Sequence, residues 1–67
     1  MTNEQIKKTA EDTLEAASWR GISMRSIANI GYKGQLDLPA DATEDDRFNV
    51  LNAIQDEAKT LLAGVDD

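Results

Sequence analysis

This chain has to form its core without covalent or metal cross-links. It has 67 residues and contains neither cysteine nor histidine, so disulfides are excluded and a structural zinc site lacks its usual ligands. Domains this small have thin cores, and without cross-links they depend on well-packed helices or on self-association. We therefore predict one small helical domain over residues 1–67, alone or as a helical homodimer.

The hydrophobic pattern predicts a long helix near each end of the chain. Thr2 and Gln5 match a capping box, and apolar residues then recur at helical spacing to Ala17. Thr43 can cap the second long helix, with Asp41 and Glu44 as an alternative cap pair, and Gly64 is the expected stop. The apolar stripe of that helix consists of Val50, Leu51, Ile54, Ala58, Leu61, Leu62 and Val65.

The segment between these helices fits two structures. The pattern of residues 23–31 predicts a short helix that is capped by Ser23 and closed by Gly31. The alternative is a hairpin within residues 27–38, with Lys33 and Gly34 at its turn. The predicted fold is therefore all-α, with two longer helices flanking a short central helix or an irregular hairpin.

Charge and hydropathy disfavour several classes of partner. The chain carries 13 acidic and 7 basic residues, a formal net charge of −6, which disfavours DNA because general nucleic-acid affinity depends on basic charge. The N-terminal MTNEQIKK has no apolar segment, and no apolar run approaches the roughly 18 residues that span a bilayer. We expect no signal peptide, no membrane partner and a cytoplasmic location.

The residue types argue against catalysis. Without cysteine and histidine, nucleophile–base pairs of the Ser–His or Cys–His kind cannot form. Carboxylate pairs such as Asp12/Glu15 and Asp56/Glu57 fall on polar helix faces, where solvation explains them. Neither a calcium-loop spacing nor a phosphate-binding glycine motif is present. We predict that the chain is not an enzyme and has no catalytic residue, cofactor or metal ion.

Residues 19–33 contain the residue types that are enriched in protein interfaces. Trp19 lies about 140° from Ile6 around the first helix, so it departs from that helix's apolar stripe. The alternative is that Trp19 and Tyr32 fill the two ends of a thin core. We predict a small acidic regulatory or adaptor protein that binds another protein. The predicted contact residues are Trp19, Arg20, Met24, Arg25, Asn29, Tyr32 and Lys33.

The stripe of the last helix also suggests a homodimer interface, because self-association would enlarge a thin core. Its residues follow alternating steps of three and four for about two heptads, too short a run to argue for a coiled coil. The predicted interface residues are Leu51, Ile54, Ala58, Leu61 and Val65.

An alternative function comes from residues 13–30, TLEAASWRGISMRSIANI, which resemble the helix-turn-helix family of DNA-binding transcriptional regulators. The resemblance implies that Ala17 packs closely and that Gly21 forms the turn. It implies three buried isoleucines, Ile22, Ile27 and Ile30. It also implies outward-facing DNA contacts at Arg25, Ser26 and Asn29.

A second alternative is an acidic nucleic-acid mimic that inhibits a basic partner through complementary charge. Helix capping and solubility explain the same acidic residues. The residues of this acidic face are Asp41, Glu44, Asp45, Asp46 and Asp56.

Overall fold

The fold is a bundle of three helices, described for residues 1–65 by a computed structural model. The helices are α1 (Asn3–Trp19), α2 (Met24–Ile30) and α3 (Glu44–Val65). The predicted all-α, three-helix architecture is confirmed. The hairpin alternative for residues 27–38 is wrong, since residues 1–65 contain no strand and this segment is the end of α2 followed by irregular backbone. Within the same residues, no helix is both long and apolar enough to cross a bilayer.

Both long helices begin with a reciprocal cap. The Thr2 Oγ1 accepts from the Gln5 backbone N–H at 3.1 Å, while the Gln5 Oε1 accepts from the Thr2 N–H at 2.8 Å. At α3, the Thr43 Oγ1 accepts from the Asp46 N–H at 3.1 Å, and the Asp46 Oδ2 accepts from the Thr43 N–H at 3.0 Å. Each pair satisfies donors that a helix start leaves unpaired, so Thr43 is the cap of α3.

The connection from α1 to α2 is a tight turn at glycine. Gly21 has a φ of +79°, a left-handed conformation that glycine adopts without steric cost. The Gly21 N–H donates to the Ser18 carbonyl and the Ile22 N–H to the Ala17 carbonyl, both at 3.0 Å, which is the Schellman pattern of helix ends. The Ser23 Oγ then accepts from the Ser26 N–H at 3.4 Å and caps α2. The cap at Ser23 and the glycine stop are both confirmed.

Helices α1 and α2 both pack against α3. α1 runs in the same direction as α3. Their starts meet where the Met1 ammonium pairs with Asp46 at 3.1 Å, and their ends meet where Trp19 and Leu61 line the same groove. α2 runs in the opposite direction, and the Gln55 Nε2 of α3 donates to the Ala28 carbonyl at 3.0 Å. The buried core consists of Ala10, Leu14, Ala17, Ile27, Ala28, Tyr32, Val50, Ile54 and Ala58.

The segment from Gly31 to Thr43 closes the side of the bundle. Tyr32 is only 8% exposed, and its hydroxyl donates to the Gln35 carbonyl at 3.1 Å. Gly34 lies so close to the Tyr32 ring that a Cβ there would overlap it. Leu36 and Leu38 are half-buried against the core. This segment therefore has a packing role, although it contains no regular structure.

The end of α3 differs from the prediction. Gly64 was expected to stop the helix, but α3 continues through it to Val65. Gly64 does not have the positive φ that terminates a helix at a glycine.

Replacing Ile54 tests the importance of the α3 stripe. Ile54 is completely buried and Ile30 is 67% exposed. We expect Ile54→Ala to lower the free energy of unfolding by about 2–5 kcal/mol through the cavity it leaves, and Ile30→Ala to change it by less than about 0.5 kcal/mol. Urea titration followed by far-UV circular dichroism measures both. Equal losses in the two variants would contradict this packing.

Asp46 gives the fold a specific sensitivity to acid. The hydrogen bond from the Thr43 backbone, followed by that from the Met1 ammonium, holds the pKa of Asp46 below the ordinary aspartate value. The ionised carboxylate therefore stabilises the folded chain above about pH 4, and this contribution disappears as the pH falls through the lowered pKa.

We expect Asp46→Asn to destabilise the chain at neutral pH, and this difference from the wild type to shrink toward about pH 3. Urea unfolding at both pH values measures it. Asp45→Asn, an exposed neighbour in the same helical turn, is the matched control and should retain the wild-type pH dependence. The prediction fails if Asp46→Asn and Asp45→Asn respond alike.

Candidate functional site

An apolar groove opens where the end of α1 meets α2 and α3. Leu14 and Trp19 of α1, Met24 at the start of α2 and Leu61 of α3 provide its apolar surface. The groove has a volume of about 470 Å³. We call this feature the Trp19 groove, and it also includes the side chains of Glu11, Glu15, Ser18 and Glu57.

The groove exists because the stripe of α3 extends beyond the helices that cover it. Val50, Ile54 and Ala58 are fully buried, but Leu61, at the next position of the same stripe, is 44% exposed. α1 ends at Trp19 because of the turn at Gly21, so its last side chain lies at the rim of this uncovered region. Leu14 is only 3% exposed and forms the floor, whereas Trp19 is 82% exposed.

Three glutamates form the rim. Glu11 and Glu15 are one turn apart on α1, which places them on the same side of that helix. Glu57 lies on α3, one turn before Leu61, and forms part of the opposite wall. No lysine or arginine of the described residues lines the groove. The rim is therefore acidic on both walls.

The predicted contact residues do not form one surface. Trp19 and Met24 line the groove. Tyr32 belongs to the core, and its burial removes the ring from the surface that a partner can reach. The alternative interpretation is therefore correct for Tyr32, while Trp19 is exposed. The remaining members are exposed but do not line the groove, and they are Arg20, Arg25, Asn29 and Lys33.

Two of the five predicted dimer residues lie inside the bundle. Ile54 and Ala58 are completely buried because the stripe of α3 faces α1 and α2 of the same chain, so a second copy cannot reach them. Leu51 is half-buried, and Leu61 lies in the Trp19 groove. The side chain of Val65 falls outside the described part of the structure. The homodimer itself stays a prediction.

The helix-turn-helix resemblance is matched only in part. Ala17 and Ile27 are buried, and Gly21 forms the turn. The implied burial is wrong for Ile22 and Ile30, which are 40% and 67% exposed. Ile22 lies in the turn before α2, and Ile30 is the last residue of α2, which packs on α3 through Ile27 and Ala28. The predicted DNA contacts Arg25, Ser26 and Asn29 are exposed.

One of the five acidic residues of the mimic hypothesis is engaged within the fold, and the other four are exposed. Asp46 caps α3 and pairs with the Met1 ammonium, so its carboxylate is already engaged. The other members are exposed and are Asp41, Glu44, Asp45 and Asp56.

No known protein family, curated protein or solved structure matches this chain. The function is therefore argued from the geometry and chemistry of the groove.

Trp19 reports on the groove directly, because it is the single tryptophan of the chain. At 82% exposure, its fluorescence should be quenched by acrylamide almost as efficiently in the folded chain as in urea. Trp19→Ala should change the free energy of unfolding by less than about 1 kcal/mol, whereas Leu14→Ala, on the floor of the same groove, should cost about 2–5 kcal/mol. Strong protection from acrylamide in the folded chain would instead place the indole in the core.

Proposed function

We propose that this chain is a small regulatory or adaptor protein that binds a short segment of another protein in the Trp19 groove. The observation that carries this proposal is the exposed Trp19 indole beside the uncovered end of the core. Tryptophan is one of the residue types enriched among the side chains that dominate interface energies. A partner that covers the exposed indole and the apolar side chains beside it removes their apolar surface from water, which favours binding.

The groove has the composition of an anchoring site. Its volume of about 470 Å³ falls within the range of ligand-sized sites. Trp19 supplies a rigid wall, and Met24 an adaptable side chain that can follow different partner shapes. Leu14 provides a floor that belongs to the rigid core. A groove of this size takes a few partner side chains, so the proposed ligand is a short segment.

The proposed mode of action is binding without chemistry. The side chains around the groove are apolar or carboxylate apart from the Ser18 hydroxyl, and they can hold, mask or present a segment of a partner. A protein of this kind regulates its partner by competing for that segment or by bringing it to a third component.

Peptide display tests this function. A library of random peptides is selected on the wild-type chain alone, and the selected peptides are then measured on the wild type and on Trp19→Ala. Selected peptides should bind Trp19→Ala at least about tenfold more weakly, as expected for an interface anchor. The matched control is Phe48→Ala, because Phe48 is an aromatic residue that is 64% exposed and does not line the groove.

Selected peptides should bind Phe48→Ala with wild-type affinity. If the two alanine variants lose affinity equally, or if Trp19→Ala loses none, Trp19 is not the anchor and the proposal is overturned.

A further inference from the structure

The acidic rim indicates that a ligand of the Trp19 groove needs positive charge as well as apolar side chains. Glu11 and Glu15 line one wall and Glu57 the other, around an apolar floor. The one ion pair among the described residues joins the Met1 ammonium to Asp46, at the far end of the bundle. The three groove carboxylates therefore have no cationic side chain within ion-pair distance in this part of the chain. Their combined charge remains available to a ligand.

This arrangement of like charges has an electrostatic cost in the isolated chain. Glu11 and Glu15 stand at positions i and i+4 of α1, where like charges repel each other and weaken the helix. An apolar surface bordered by charges of one sign also concentrates the electrostatic potential over the groove. Both effects favour a ligand that brings positive charge to the rim and apolar side chains to the floor.

The length of the groove indicates the shape of that ligand. The α1 side of the groove runs from Glu11 to Trp19, which is about 12 Å at 1.5 Å per residue, or about two helical turns. A helix presents an apolar stripe at positions i, i+3, i+4 and i+7, with flanks on both sides. Basic flanks would meet Glu11 and Glu15 on one wall and Glu57 on the other.

We infer that the occupant of the Trp19 groove is a basic amphipathic helix of a partner protein. This inference rests on the proposed function and specifies its ligand. The apolar stripe of the partner helix packs on Trp19, Met24 and Leu61 and completes the part of the bundle that α1 leaves uncovered. Its lysine and arginine residues pair with the three glutamates. An arginine can also stack on the exposed Trp19 indole.

Charge favours this occupant over a second copy of the chain. A two-fold dimer through this groove would bring the acidic rims of two copies together, and each copy has a formal net charge of −6. The same rim repels the phosphates of a nucleic acid. A basic helix meets neither penalty.

Two synthetic helical peptides without tryptophan test the inference. Both have the same length and the same apolar stripe, but one has lysine and arginine on its flanks and the other has glutamate. Binding is followed by the fluorescence of Trp19 and by the anisotropy of a labelled peptide. The basic peptide should bind at least about tenfold more tightly than the acidic one, and its affinity should fall as salt is added.

Charge-matched variants separate the rim from the net charge. The rim variant combines Glu11→Gln, Glu15→Gln and Glu57→Gln. The control variant combines Glu4→Gln, Asp37→Asn and Asp41→Asn, three exposed positions that do not line the groove. Both variants lose three negative charges. The rim variant should lose at least about tenfold in affinity for the basic peptide, and the control should lose less than about threefold.

The outcomes distinguish this inference from the proposed function. If both peptides lose binding in Trp19→Ala but bind the wild type equally, the groove is a binding site and the basic helix is the wrong ligand. If the basic peptide binds Trp19→Ala as tightly as the wild type, the groove itself is not the site and both proposals fail. Sedimentation equilibrium that shows a dimer lost in Trp19→Ala would make a second copy the occupant and overturn the inference.

Discussion

The structure depends on the packing of two helices against one apolar stripe of α3. Val50, Ile54 and Ala58 have no exposed surface, and α1 and α2 cover them from two sides. Four of the nine core residues are alanines, so the helices can approach closely while burying little apolar area. A chain without cross-links must obtain its stability from this contact, and each large side chain in it is correspondingly important.

The two ends of the bundle differ in how the helix ends are covered. At one end, the Met1 ammonium, Asp46 and Thr43 form a connected set of polar contacts that joins the starts of α1 and α3. At the other end, α1 stops at the Gly21 turn while the stripe of α3 continues to Leu61. The Trp19 groove is the direct result of this difference in length. It needs no special loop or strained backbone, and it is built on helices that the core holds in place.

Local features of the fold were predictable from the sequence, because their causes lie within a few residues. The caps at Thr2, Ser23 and Thr43 and the turn at Gly21 each depend on hydrogen bonds over three to five positions. The exception is Gly64, which lies inside α3. A glycine ends a helix only when its backbone takes a positive φ, and residue type alone does not determine that.

Long-range features were predicted less well. Trp19 and Tyr32 had the same two interpretations, yet one is at the surface and the other in the core. The difference arises from the path of residues 31–43, which folds Tyr32 back over the bundle. The stripe of α3 fits both the chain's own core and a dimer interface, because periodicity does not identify its partners within the chain. Glu57 could not be grouped with Glu11 and Glu15 without knowing that α1 and α3 run in the same direction.

The position of the acidic residues around the groove says more about possible ligands than their number does. As a net charge, −6 only disfavours nucleic acid. In the proposed function, three of these charges are placed on both walls of an apolar groove, where they would discriminate among protein ligands. A basic segment without apolar residues would meet exposed carboxylates, whose ion pairs contribute little. An apolar segment without basic residues would pack on Trp19 but leave the repulsion between Glu11 and Glu15 in place. A ligand that carries both properties would gain apolar contact area from the floor, and association rate and specificity from the rim, so the combination would discriminate where neither part does alone.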